Sequence, residues 1–118
     1  MNARPISQEE FKTLVGTGNQ GNFQFAANRP VIVDFSALEW CSHCRTLAPI
    51  FEELAGKYAD RADFYTVNVD ENEELTRNFN IRMVPTLLFA QPGKAPELLL
   101  GTLNRPQLEE KIKEIFSF

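Results

Sequence analysis

The chain has 118 residues, 43% of them hydrophobic and 24% charged, with a formal net charge of -4 and a pI near 5.0. This is the size and composition of one globular unit with its own core; it excludes two domains of ordinary size and a disulfide-dense scaffold. The acidic balance argues against a broad electrostatic grip on nucleic acid or anionic lipid.

The N-terminus, MNARPISQEE, lacks the apolar segment of a secretory signal, and no apolar run approaches the roughly 20 residues that span a bilayer. A cytoplasmic location with no membrane contact is therefore expected. Ser7 and Glu10 ahead of Phe11 have the form of a capping box and begin a helix. The stretch GTGNQGN, Gly16 to Asn22, then breaks any pattern, and a second short helix is expected near Phe23 to Ala27. Residues 1–28 are thus read as an atypical helical segment.

From there the alternation becomes regular. VIVDF (Val31 to Phe35) and TLLFA (Thr86 to Ala90) are apolar runs suited to strands buried on both faces. Asp63 to Asp70 alternates as a third strand. Glu97 to Gly101 follows the QPGK turn at Gln91 to Lys94 and pairs with TLLFA as an antiparallel hairpin. Leu47, Ile50, Phe51, Leu54 and Tyr58 recur at helical spacing, predicting a helix from near Ser42 to Tyr58 that Pro49 kinks. Asn72 to Phe79 is a shorter helix. The last runs from Arg105 to Phe116, with Asn104 as N-cap and Pro106 in the first turn. This order implies an α/β fold: a mixed sheet of four or five strands, helices on both faces, and parallel crossovers in its first part.

Chemistry concentrates in EWCSHCRTLAP, residues 39 to 49, which holds both cysteines, the one histidine and the one tryptophan. Three readings compete for Cys41 and Cys44: a metal clip, a structural disulfide, and a pair that cycles between dithiol and disulfide. A zinc site needs about four ligands, and His43 between the cysteines cannot easily join them on one ion. A cluster shared between two chains remains a minor option. For redox chemistry the spacing is apt. Cys41, at a helix N-terminus, faces free N–H groups and the positive end of the dipole, which stabilise its thiolate and make it the nucleophile. Cys44, one turn inside, is the resolving thiol. An imidazolium at His43 would favour the thiolate further and make the disulfide more oxidising, while Ser42 caps the helix or donates a weak hydrogen bond.

These motifs, in this order and spacing, resemble the thioredoxin family: VIVDF, WCSHC, Pro49 five residues past Cys44, IRMVPT, and the glycine of LLLGTL. The resemblance spans residues 29–116 and implies a single thioredoxin-like domain over residues 1–118. It also implies a cis bond between Val84 and Pro85. The Val84 backbone would pair with an extended substrate segment, and Trp40, Pro85, Gly101 and Thr102 would line a shallow groove beside Cys41. Asp34 would take the proton of the resolving cysteine.

Departures from the family pattern matter as well. Ser42 and His43 stand where glycine and proline are usual, and a histidine there is a feature of disulfide isomerases and oxidants. Ser36 replaces a common tryptophan, Thr66 replaces a frequent lysine, and seven residues rather than six separate Asp34 from Cys41. Either a loop absorbs the extra residue or the acid is displaced.

The resemblance thus implies a protein disulfide reductase with no prosthetic group beyond its redox-active cysteine pair. It would act as a monomer on client proteins with disulfides and be recharged by an NADPH-linked thioredoxin reductase. The rivals are a disulfide isomerase or oxidase of less reducing potential, and a binding or chaperone module independent of both cysteines.

Overall fold

The computed structural model describes residues 2–118; Met1, the first residue of the expected N-terminal segment, lies outside the described residues. In chain order the elements are β1 (Arg4–Pro5), α1 (Gln8–Leu14), β2 (Gly16–Asn19), β3 (Asn22–Phe25), β4 (Val31–Ser36) and α2 (Ser42–Lys57). There follow β5 (Asp63–Asn68), a 3-10 turn (Val69–Glu71), α3 (Glu73–Asn78), β6 (Thr86–Ala90), β7 (Glu97–Leu100) and α4 (Arg105–Phe116).

Five strands form one mixed sheet in the order β1-β5-β4-β6-β7. β4 runs parallel to β5 and antiparallel to β6, β5 is parallel to β1, and β6 and β7 form the expected hairpin. The central β4 is buried along its whole length, which is why VIVDF lacks alternation. Its side chains still divide by parity. Ile32 joins Phe64, Leu87 and Phe89 against Leu47, Phe51 and Leu54 of α2 and Leu108 and Ile112 of α4. Val31, Val33 and Phe35 join Tyr65, Val67 and Leu88 against Phe11 of α1, Leu75 of α3 and Phe79. Each of these large apolar side chains, fully buried, contributes about 1.5–3 kcal/mol of transfer free energy.

The N-terminal region differs from the sequence expectation. No helix forms at Phe23 to Ala27; Asn22–Phe25 is a strand paired antiparallel with Gly16–Asn19. Two features favour the hairpin. The Asn19 side chain accepts from the N–H groups of Gly21 (3.0 Å) and Asn22 (2.9 Å), closing the turn. Gly18 has φ 110°, and a Cβ there would stand 2.1 Å from the Asn22 carbonyl oxygen. Phe23 and Phe25 then point the same way and pack on the α1–α3 side, with the Phe23 ring edge-on to Phe79 at 5.6 Å. The Ser7 capping box is present, with Glu10 N–H donating to Ser7 Oγ at 3.1 Å and Ser7 N–H to Glu10 Oε1 at 3.1 Å. Asn104 and Gln107 form a second box that starts α4.

Candidate active site

α2 begins at the C-terminal edge of the central strand, one turn of chain beyond Ser36. The N–H groups of Trp40 (3.3 Å) and Cys41 (2.9 Å) both donate to the Ala37 carbonyl, and Arg45 Nη1 donates to the Leu38 carbonyl at 2.7 Å. This pinned turn joins β4, which holds Asp34, to Cys41 at the head of α2.

Cys41 and Cys44 form a disulfide across the first turn of α2. Cys41 itself is the N-cap, its Sγ accepting from the Cys44 N–H at 3.1 Å. Ser42, expected as a cap, is instead the first helical residue, because the sulfur already occupies the capping position; its hydroxyl and the His43 ring are exposed. Exposure separates the two sulfur-bearing residues. Cys41 is 7% exposed and Cys44 is 0% exposed. An incoming group therefore reaches Cys41 first. Cys41 Sγ also lies 3.6 Å from the Val84 carbonyl oxygen, a contact in the disulfide that becomes a possible S–H donor pair in the dithiol.

Val84 and Pro85 are joined by a cis peptide bond. Pro85 is buried, and its carbonyl accepts from the Gly101 N–H at 2.8 Å, which ties the segment ahead of β6 to the end of β7. Gly101 is there because space is short: a Cβ would meet Leu47 Cδ2 at 3.0 Å and Pro85 Cβ and Cγ at 3.3 Å. Thr102 is exposed at the next position. Trp40 is 61% exposed, and its indole N–H donates to Asp70 Oδ2 at 2.7 Å, which fixes the ring as a wall rather than a core residue. Between Trp40 and Val84 lies a concavity of about 400 Å³, also lined by Ile81 and Met83.

Met83, 62% exposed, and Asp70 escaped the sequence reading. Met83 carried a usable signal, as a large apolar residue directly ahead of a motif expected to meet substrate. Asp70 carried none, since only the fold sets it opposite Trp40.

Asp34 is 2% exposed, and its Oδ1 has no hydrogen-bond partner. Burial disfavours the charged carboxylate and raises its pKa from 3.8 to about 7. Thr66 stands beside it in register on β5 and Leu87 on β6, so no cationic side chain flanks it along the sheet.

The thioredoxin family model matches residues 5–114. The chain is 34% identical to a thioredoxin of Borreliella burgdorferi, over 96% of this chain and 97% of that protein. The chain belongs to the thioredoxin family. It is 40% identical to a thioredoxin of Alicyclobacillus acidocaldarius (84% and 95% covered) and 44% identical to one of Acidithiobacillus ferridurans (87% and 86% covered). With its cysteine pair at the head of α2, this family member is a thiol–disulfide oxidoreductase of the protein disulfide reductase type. Neither the isomerase or oxidase reading nor the redox-independent module is favoured. No described helix is long and apolar enough to cross a membrane.

Proposed function

We propose that Cys41 is the nucleophile and Cys44 the resolving thiol of a cycle that reduces disulfides of client proteins. The observation that carries this reading is the unequal burial of the two cysteines at one helix N-terminus. In the dithiol form the Cys41 thiolate is stabilised by the Cys44 N–H and by the helix dipole, an effect of roughly 1–2 kcal/mol in partly buried geometry. It attacks a client disulfide, one client sulfur leaves as a thiolate, and a mixed disulfide forms. The Cys44 thiol then loses its proton to Asp34 and attacks Cys41, expelling the second client sulfur. Two electrons pass to the client, its thiolates take up their protons from Asp34 and solvent, and the Cys41–Cys44 disulfide remains.

Asp34 suits this step because a carboxylate with a pKa of about 7 is basic enough to take a thiol proton. The concavity bounded by Trp40, Met83 and Val84 suits an extended client segment pairing with the Val84 backbone, and Pro85, Gly101 and Thr102 are read as the rest of the client surface. Ser42 and His43 are exposed beside the reacting sulfur, so any charge His43 lends the thiolate is screened by solvent. Electrons are carried by the cysteines, with no prosthetic group. An NADPH-linked thioredoxin reductase returns the pair to the dithiol, in a reducing cytoplasm, and the protein works as a monomer. The decisive test is trapping. Cys44→Ser accumulates a mixed disulfide between Cys41 and a disulfide client, visible by non-reducing mass spectrometry, and Cys41→Ser abolishes turnover. Trapping on Cys44 in the Cys41→Ser protein, at an equal rate, would reverse the roles.

A further inference from the structure

Asp34, Ser36 and Thr66 share the α2-facing side of the sheet, in a row that continues through Pro5 at the edge. The two hydroxyl residues are too small to fill the space between this row and α2. A cavity of about 430 Å³ remains, closed on the other side by Ala48, Pro49, Phe51 and Glu52. A cavity of about 150 Å³ is enough to hold benzene, so this one admits a ring with a short substituent. Its walls are largely apolar and offer water few partners, yet the buried, unpartnered carboxyl of Asp34 forms part of them.

The adjoining surface has its own character. A second concavity of about 640 Å³ shares Pro5, Ser36, Leu38 and Thr66 with the first, and Glu10, Glu39 and Glu71 also line it. Arg4 pairs with Glu10 at 2.8 Å and offsets one of these charges. Among the described residues no lysine, arginine or histidine lines either space. An acidic concavity therefore adjoins an apolar chamber whose wall includes a carboxyl oxygen lacking a donor. Such a chamber favours cations over anions, and apolar cations over hydrated ones.

We propose that this chamber is a binding site for a small organic amine with an apolar body, its ammonium donating to Asp34 and its body lying against Pro49 and Phe51. The site is separate from the client groove: Trp40, Met83 and Val84 line none of it.

The test is a 15N-detected NMR titration of the oxidised protein with 2-phenylethylamine, with 2-phenylethanol as the uncharged probe of the same shape. Saturable shifts are expected at the amides of Asp34, Ser36, Thr66 and Ala48, with the alcohol binding at least about tenfold more weakly, as loss of a charge-assisted hydrogen bond requires. Asp34→Asn should weaken the amine by a similar factor. Thr66→Leu, which narrows the chamber directly beside Asp34, should weaken binding of the amine at least about tenfold; Ser36→Leu serves the same purpose should the first variant not fold. Equal affinity for amine and alcohol, an Asp34→Asn protein that binds the amine unchanged, or unsaturable shifts confined to Glu10, Glu39 and Glu71 would each overturn the proposal.

Discussion

Replacing Asp34 by asparagine removes a charge from the sheet interior while keeping the shape of the side chain, and its effect on stability must depend on pH. In the unfolded chain the carboxyl titrates near 3.8; in the fold, burial lifts it to about 7. An acid whose folded pKa is raised binds more protons in the native state than in the unfolded one, so stability falls as pH rises between those values. Below about pH 3.8 the penalty is absent, and above about pH 7 it is complete. The gap corresponds to about 4 kcal/mol at about 1.4 kcal/mol per tenfold change, with no discount for solvent at a residue only 2% exposed. Asparagine brings an amide whose own burial costs about 1–2 kcal/mol at every pH. The variant is therefore expected to be more stable than the parent by about 2–3 kcal/mol at pH 8, and less stable by about 1–2 kcal/mol at pH 3.5. Urea unfolding of both oxidised proteins from pH 3.5 to 8 measures this difference directly, since the cysteines do not titrate and carboxylates other than Asp34 cancel in the comparison. A difference that stays flat across that range would refute the reasoning, whatever its absolute size.

Glu109, almost buried between α2 and α4, has the opposite sign: Lys57, the Tyr58 hydroxyl and Arg105 hold its pKa down at about 2, so its contribution is present above pH 4.5 and lost as pH falls toward 2. Glu109→Gln should cost about 2–3 kcal/mol at pH 7 in urea unfolding, with the cost shrinking below pH 4.5. Trp40→Ala leaves stability within about 0.5 kcal/mol because the ring is mostly exposed; in steady-state reduction of a protein disulfide it raises KM about 5- to 30-fold with little change in kcat. Gly101→Ala pushes a methyl group onto Leu47 and Pro85; a loss of about 1–3 kcal/mol is expected in thermal or urea unfolding.

Legibility along the chain follows the length over which a pattern can repeat. α4 occupies the predicted Arg105–Phe116, and α2 ends one residue short of its predicted end, because both bury a stripe over several turns and have chemical start signals. The buried strands β4 and β6 stood out for the related reason that unbroken apolar runs bounded by turns have few other uses. β1 is two residues long and contains a proline, so no periodicity could announce it; it exists because the edge of β5 accepts it, with the Ile6 N–H donating to the Thr66 carbonyl at 2.9 Å. The β2–β3 hairpin was hidden by its own turn chemistry. Glycines and asparagines that break a helical or alternating pattern are the residues a tight hairpin with φ near 110° requires, and the two phenylalanines of β3 were too few to separate a strand from one helical turn.

The same distinction governs the site. The cysteines were legible because two sulfurs a helical turn apart are a local requirement, whereas the cis bond at Val84–Pro85 and the place of Gly101 were legible only through the family resemblance. The surroundings of Asp34 were not legible, because they depend on three strands in register and on what is missing from the neighbouring positions. In sequence, Ser36 and Thr66 read only as replacements of a common tryptophan and a frequent lysine. In the fold they do something further: they leave the carboxyl without a donor, and they open the space from which a donor could arrive. A buried acid with no cation beside it along the sheet keeps a pKa set by desolvation alone, so whatever enters that chamber changes the proton affinity of Asp34. Hydrogen-bond donors that favour the carboxylate lower it, and apolar occupants that displace water raise it.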